Sequence, residues 1–118
     1  MPLPAATSAK GIPTMAKLVV LYPPPTDAAE FDRAYQEEHV PLMRDKMKGM
    51  KVAVTSFKAA AAGELPYYLM AEVWAPTIAE LQAFFDTPDG QEVGGHAVKI
   101  STGGPPTLLF SEEEIHQL

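Results

Sequence analysis

Two imidazoles and two phenols are the side chains of this sequence best suited to proton transfer near neutral pH: His39, His96, Tyr22 and Tyr35. Tyr35 precedes His39 by four residues, one helical turn, and Tyr22 closes an apolar run that ends in prolines. If His39 faces a pocket between a helix and a sheet, it can act as general acid or base. Tyr35 can then hydrogen-bond a substrate phenol or carbonyl, with Tyr22 opening onto the same space. The same spacing also fits a structural role, in which His39 bonds a backbone carbonyl left free near Pro41. His96 reads either as a second acid/base or as a residue at the edge of a buried stripe. His116 sits in an acidic tail and reads as solvated.

The element that must hold His39 is residues 27–49. Asp27 with Glu30 three positions on forms a capping box, and Phe31, Ala34, Tyr35, His39 and Leu42 then share one helical face. Pro41 is expected to end or kink this helix, and Gly49 to close its short continuation in the left-handed conformation. Residues 16–22, AKLVVLY, read as a strand stopped by Pro23, Pro24 and Pro25. Residues 51–58 and 67–75 read as two further strands joined by a small-residue connection, AAAAGELP. Alternation puts Tyr68, Met70, Glu72 and Trp74 on one face of the third strand and Tyr67, Leu69, Ala71 and Val73 on the other. Thr77 with Glu80 caps a helix carrying Ile78, Leu81, Phe84 and Phe85, and Thr87-Pro88 starts another with Val93, Ala97 and Ile100 inward. Gly94-Gly95 interrupts that last helix at a cost of about 2 kcal/mol in helix propensity against alanine. Either the helix is marginal there or something packs closely. Residues 107–111 form the final strand.

The order β-α-β-β-α(α)-β is that of an α+β, ferredoxin-like domain, a four-stranded antiparallel sheet with helices on one face. Residues 1–14 read as an arm outside the domain at 15–111, and 112–118 as an acidic tail. Both faces of the third strand are largely apolar, so the face without helices needs cover. A second copy of the same sheet gives a homodimer through the sheet faces. Trp74, Tyr68 and Met70 then line either a ligand cavity or that interface, and Glu72 calls for a salt bridge to Lys17 or Lys51.

Composition excludes several function classes. A net charge of −6 without a basic cluster argues against nucleic acid or an anionic membrane surface as partner. Zero cysteines remove disulfides, thiolate catalysis and Cys-ligated metals, and fit a cytoplasmic location. No strand–GxGxxG–helix unit, no GxxxxGK[ST] and no paired-histidine ligand spacing occurs, so neither a nucleotide cofactor nor a local metal site is expected. A haem ligand would have to be His39 or His96.

The stretch YPPPTDAAEFDRAYQEEHVPLMRDKMKG resembles the EthD family of the dimeric α+β barrel superfamily, through Tyr22, Pro23, Phe31, Tyr35, His39, Pro41, Leu42 and Gly49. YYLMAEVW and TPDGQEV look similar too, over about residues 16–111. Where the pattern leads to an acidic residue soon after TPDGQ, this chain has His96. The resemblance implies a homodimer, and a family associated with ether degradation whose related barrels include cofactor-free cyclases, isomerases and monooxygenases. The expectation is thus a small hydrophobic or aromatic ligand and acid/base chemistry without cofactor. His39, Tyr35 and Tyr22 are its catalytic candidates, and Phe31, Leu42, Trp74 and His96 its ligand contacts. The rival reading is a non-catalytic binding or stress-related dimer in which His39 is structural.

Overall fold

The computed structural model describes residues 6–7 and 13–118, with side-chain surroundings from Met15 onward. The rest of the N-terminal arm lies outside the described residues. Among the described residues five strands form one antiparallel sheet: β1 (Ala6–Thr7), β2 (Pro13–Tyr22), β3 (Lys51–Ser56), β4 (Leu69–Ala75) and β5 (Thr107–Glu114). The order across its main part is β5-β2-β4-β3, and β1 pairs with the first residues of β2. The helices are α1 (Ala28–Ala34), α2 (Val40–Lys46), α3 (Ile78–Phe85) and α4 (Pro88–Ile100), with a π-turn at Tyr35–His39 joining α1 to α2. This is the ferredoxin-like βαββαβ arrangement expected from the sequence. Among the described residues no helix is long and apolar enough to cross a membrane.

Period-two alternation decides which face of the sheet receives the helices. Ala16, Leu18, Val20 and Tyr22 of β2 and Leu69, Ala71, Val73 and Ala75 of β4 are all buried, and they meet Phe31, Ala34, Tyr35, Leu81, Val93, Ala97 and Ile100 from the helices. The opposite face carries Trp74, directly across from Lys17 on one side and Lys51 on the other. Both ammonium groups lie over the indole, at 5.6 and 4.6 Å from its centroid. Lys17 also bonds Glu72 at 2.7 Å and Glu113 at 3.1 Å, the salt bridge that Glu72 called for. That carboxylate pair, Glu72 foremost, raises the Lys17 pKa above its ordinary value.

The helix starts follow the capping residues. Asp27 accepts from the Glu30 amide, Thr77 from that of Glu80 and Thr87 from that of Gly90. The final strand runs three residues past Ser111, because Thr14, Met15 and Ala16 pair with Glu114, Glu113 and Glu112. Gly103 is required by close approach, since a Cβ there would collide with the Pro24 carbonyl oxygen. This contact seats the turn before β5 on the proline run that stops β2.

The helix does not end at Pro41. It continues as α2, and the local adjustment falls one turn earlier, where the Val40 amide donates to the Tyr35 carbonyl across five residues. In an unbroken α-helix the Pro41 ring would press on the carbonyl four residues back, and the wider turn relieves that pressure. The extra residue also rotates α2 about its axis. Met43 and Met47 are the buried residues after His39, whereas Leu42, the expected inward position, is only half-buried.

Candidate functional site

Between the helices and the sheet lies an apolar cavity of about 400 Å³. β2 contributes Leu18, Val20 and Tyr22, α2 contributes Met43 and Met47, and α4 contributes Val93, Gly94, Gly95 and Ala97. His39 stands in this wall, 3% exposed, placed there by the π-turn. A cavity of this size, largely apolar with His39, Tyr22 and Gln91 as its polar-bearing members, has a common form of pocket.

The imidazole is held from behind. Its Nδ1 lies 2.9 Å from Nδ1 of His96 on α4, and the two rings stack at 5.1 Å with an 11° interplanar angle. His96 Nε2 in turn meets Glu38 Oε1 at 3.3 Å. Arg33 bonds Glu38 at 2.6 Å and Glu30 at 2.6 Å, and Arg33 followed by His96 holds the Glu38 carboxyl below its ordinary pKa. An ionised carboxylate only accepts, so His96 carries its proton on Nε2 and, while neutral, presents a bare Nδ1. His39 therefore donates from Nδ1 and bears its lone pair on Nε2. Among the described residues no side chain bonds that Nε2, the His39 contact being made through Nδ1. Burial, with His96 adding to it, lowers the His39 pKa to about 4, so the ring is neutral at physiological pH.

A cluster of aromatic rings fixes the other side of His39. Tyr35 packs at 5.0 Å from His39, 5.8 Å from Tyr22 and 5.9 Å from Phe31, and Tyr22 meets Phe31 edge-on at 5.3 Å. Burial pushes both phenols, Tyr22 and Tyr35, above their ordinary pKa, so they serve as hydrogen-bond groups and not as bases. Among the described residues the Tyr35 hydroxyl is a fully buried polar atom with no protein partner.

Of the residues singled out from the sequence, only His39 and Tyr22 line the cavity. Tyr35 supports them both. His96, expected as a ligand contact, lies behind His39 and not in the wall. Phe31 is core, closed off by Tyr22, Tyr35 and Tyr68. Leu42 is half-buried against the core but outside the cavity lining, and Trp74 is on the opposite face of the sheet. Glu38, Met43, Met47, Phe85, Leu108 and Phe110 were not singled out as site residues. Counted from His39 itself, Met43 and Met47 fall four and eight residues on, at helical spacing, so the signal was there once the face is reset at His39 and not carried over from Phe31 and Tyr35.

Close packing, one of the two expectations raised by the sequence for Gly94 and Gly95, does not hold. α4 runs unbroken through them, and a Cβ built on either meets no atom within 4 Å. Gly90, by contrast, is needed for packing, since its Cβ would collide with the Phe84 carbonyl oxygen. Among the described residues no three His, Cys, Asp or Glu side chains converge as metal ligands.

A ferredoxin-like sheet with an apolar cavity beneath its helices and a histidine in the cavity wall defines a class of small α+β proteins built around a pocket. The sequence model for the EthD domain matches residues 23–101, and the chain belongs to the EthD family. It is similar to an EthD family protein of Bacillus halodurans, with 36% identity, a TM-score of 0.75, and coverage of 84% of this chain and 98% of that one. An uncharacterized 11.0 kDa protein from the thcB–thcC intergenic region of Rhodococcus erythropolis is 28% identical over 85% of this chain and 96% of its own length. A dimeric ferredoxin-like protein of Jannaschia shares the fold at a TM-score of 0.56, with 17% identity over 86% of this chain and 99% of that one.

Proposed function

We propose that the protein binds a small, largely apolar carbonyl compound in the cavity and moves a proton on it with His39, using no cofactor. The observation that carries this is the division of labour on one ring: Nδ1 is engaged by His96 while Nε2 has no partner at an apolar wall. Nε2 removes a proton from the carbon next to the carbonyl, leaving an enolate. The His39 Nδ1 proton passes to His96 Nδ1 across 2.9 Å, so the positive charge comes to rest beside Glu38. This relay compensates for the low basicity of a buried imidazole, because the charge does not remain on the buried ring. Return of the proton to another atom of the enolate gives an isomer, and attack of the enolate on a second carbonyl in the same molecule closes a ring. The Tyr22 hydroxyl, on the same wall, is the donor nearest to hand for the enolate oxygen.

An ether has no proton that neutral imidazole can remove. A role in ether degradation would therefore place His39 on a carbonyl product and not on the ether itself. The assembly that suits this reading is a homodimer through the outer sheet face, which presents Trp74, Val19 and the half-exposed Leu109, with dimeric ferredoxin-like relatives as support. A cytoplasmic location fits the absence of cysteine.

The test is exchange in D₂O, followed by proton NMR, on a panel of apolar ketones that includes 2-tetralone and 2-octanone. Deuterium should enter next to the carbonyl at a rate that depends on protein and falls by roughly 10²–10⁴-fold in His39→Gln. His96→Gln should retain binding but lose rate and shift the pH profile. Equal exchange by parent and His39→Gln would sink the mechanism.

A further inference from the structure

Two adjacent glycines in the middle of a helix are a cost without a local return, unless what they omit is useful. At Gly94 and Gly95 neither backbone conformation nor crowding calls for glycine, since α4 is regular there and a Cβ would stand in open space. Both residues belong to the cavity wall, Gly94 half-buried and Gly95 exposed. The other exposed members of that wall include Val98 on α4 and Leu108 and Phe110 on β5. The mouth of the cavity therefore lies between α4 and β5, and the two glycines leave a strip of bare backbone along its α4 side.

We infer that Gly94 and Gly95 form the aperture of the cavity and select a ring-bearing apolar ligand over an extended-chain one. A side chain on the strip would stand in the opening and leave the width of a hydrocarbon chain. Bare backbone leaves room for the face and edge of a ring. Tyr22 and Phe85 elsewhere in the wall offer aromatic surface to the same ring. The inference rests on the cavity being a binding site, and it adds what that site admits.

The experiment compares 2-tetralone and 2-octanone, which share the reacting ketone and differ in shape, by calorimetric titration into the parent, Gly94→Ala, Gly95→Ala, Gly94→Leu and His39→Gln. The parent should prefer 2-tetralone. Its affinity should weaken a few-fold in either alanine variant and by about tenfold or more in Gly94→Leu, while 2-octanone binding stays within about threefold. Both alanine variants should melt higher than the parent, by roughly 3–6 °C each, because helix propensity is gained and nothing is displaced. Unchanged 2-tetralone binding in Gly94→Leu, or in both alanine variants should the leucine protein not fold, overturns the inference. So does a lower melting temperature in Gly94→Ala, which would reveal a packing role. If the parent binds neither ketone, the binding reading fails and the aperture with it. If His39→Gln binds both ketones as the parent does, only the catalytic part of that reading is separated from the aperture.

Discussion

His39 and His96 face each other through their Nδ1 atoms at 2.9 Å, across 57 residues of sequence, and the contact leaves His39 Nε2 unpartnered on an apolar wall. Two imidazoles so placed are most stable with one proton between them. A second proton between them would press two N–H groups together, and protonating both rings would set two cations in contact, one of them buried. The pair therefore ties folding to pH.

The sign of that dependence comes from the His39 pKa of about 4, depressed by burial and then by His96 from an ordinary 6.5. The unfolded chain takes up this proton first as pH falls. The stabilisation is thus complete above about pH 6.5 and is lost progressively down to about pH 4, amounting to roughly 3 kcal/mol. Melting temperature measured from pH 7 to pH 4 should fall in the parent. The fall should be visibly shallower in His39→Gln, which has no proton to gain at that site.

The π-turn predicts an inversion between neighbours on α2. Met43→Ala should destabilise by about 2 kcal/mol, since Met43 is buried against the core, and Leu42→Ala by less than about 1 kcal/mol. Urea unfolding of the two variants measures this directly. The opposite order would mean that the helix continues past His39 without the extra residue.

Trp74 is the single tryptophan, and it stands on the sheet face away from the cavity, between Lys17 and Lys51. Its fluorescence should change modestly on dilution as a sheet-to-sheet dimer separates, because the indole stays buried under Lys17 and Lys51 in the single chain while the polarity above those lysines changes. Saturation with 2-octanone should leave it unaltered once the weak near-ultraviolet absorption of the ketone is corrected for. A response to ketone with none to dilution would put the ligand on the outer face.

The sequence by itself determined what depends on neighbours within a turn or a strand. The helix starts at Asp27, Thr77 and Thr87 were legible because capping is local, and so was the face shared by Phe31, Ala34, Tyr35 and His39. Strand alternation likewise put Leu69, Ala71 and Val73 on one side of β4 and Met70, Glu72 and Trp74 on the other, but Tyr68, expected beside Trp74, precedes the strand and turns to the helices, packing on Phe31 and bonding Asp32. The tertiary structure decided what depends on which segments meet. His96 became the partner of His39 because α4 packs beside the π-turn, and no spacing in the chain encodes that. Leu42 yielded to Met43 because a proline's clash was absorbed one turn upstream, where the sequence carries no breaker. Gly94 and Gly95 read as a weakness in a helix until β5 was set opposite them. Only with both walls present does the missing side-chain volume become an opening.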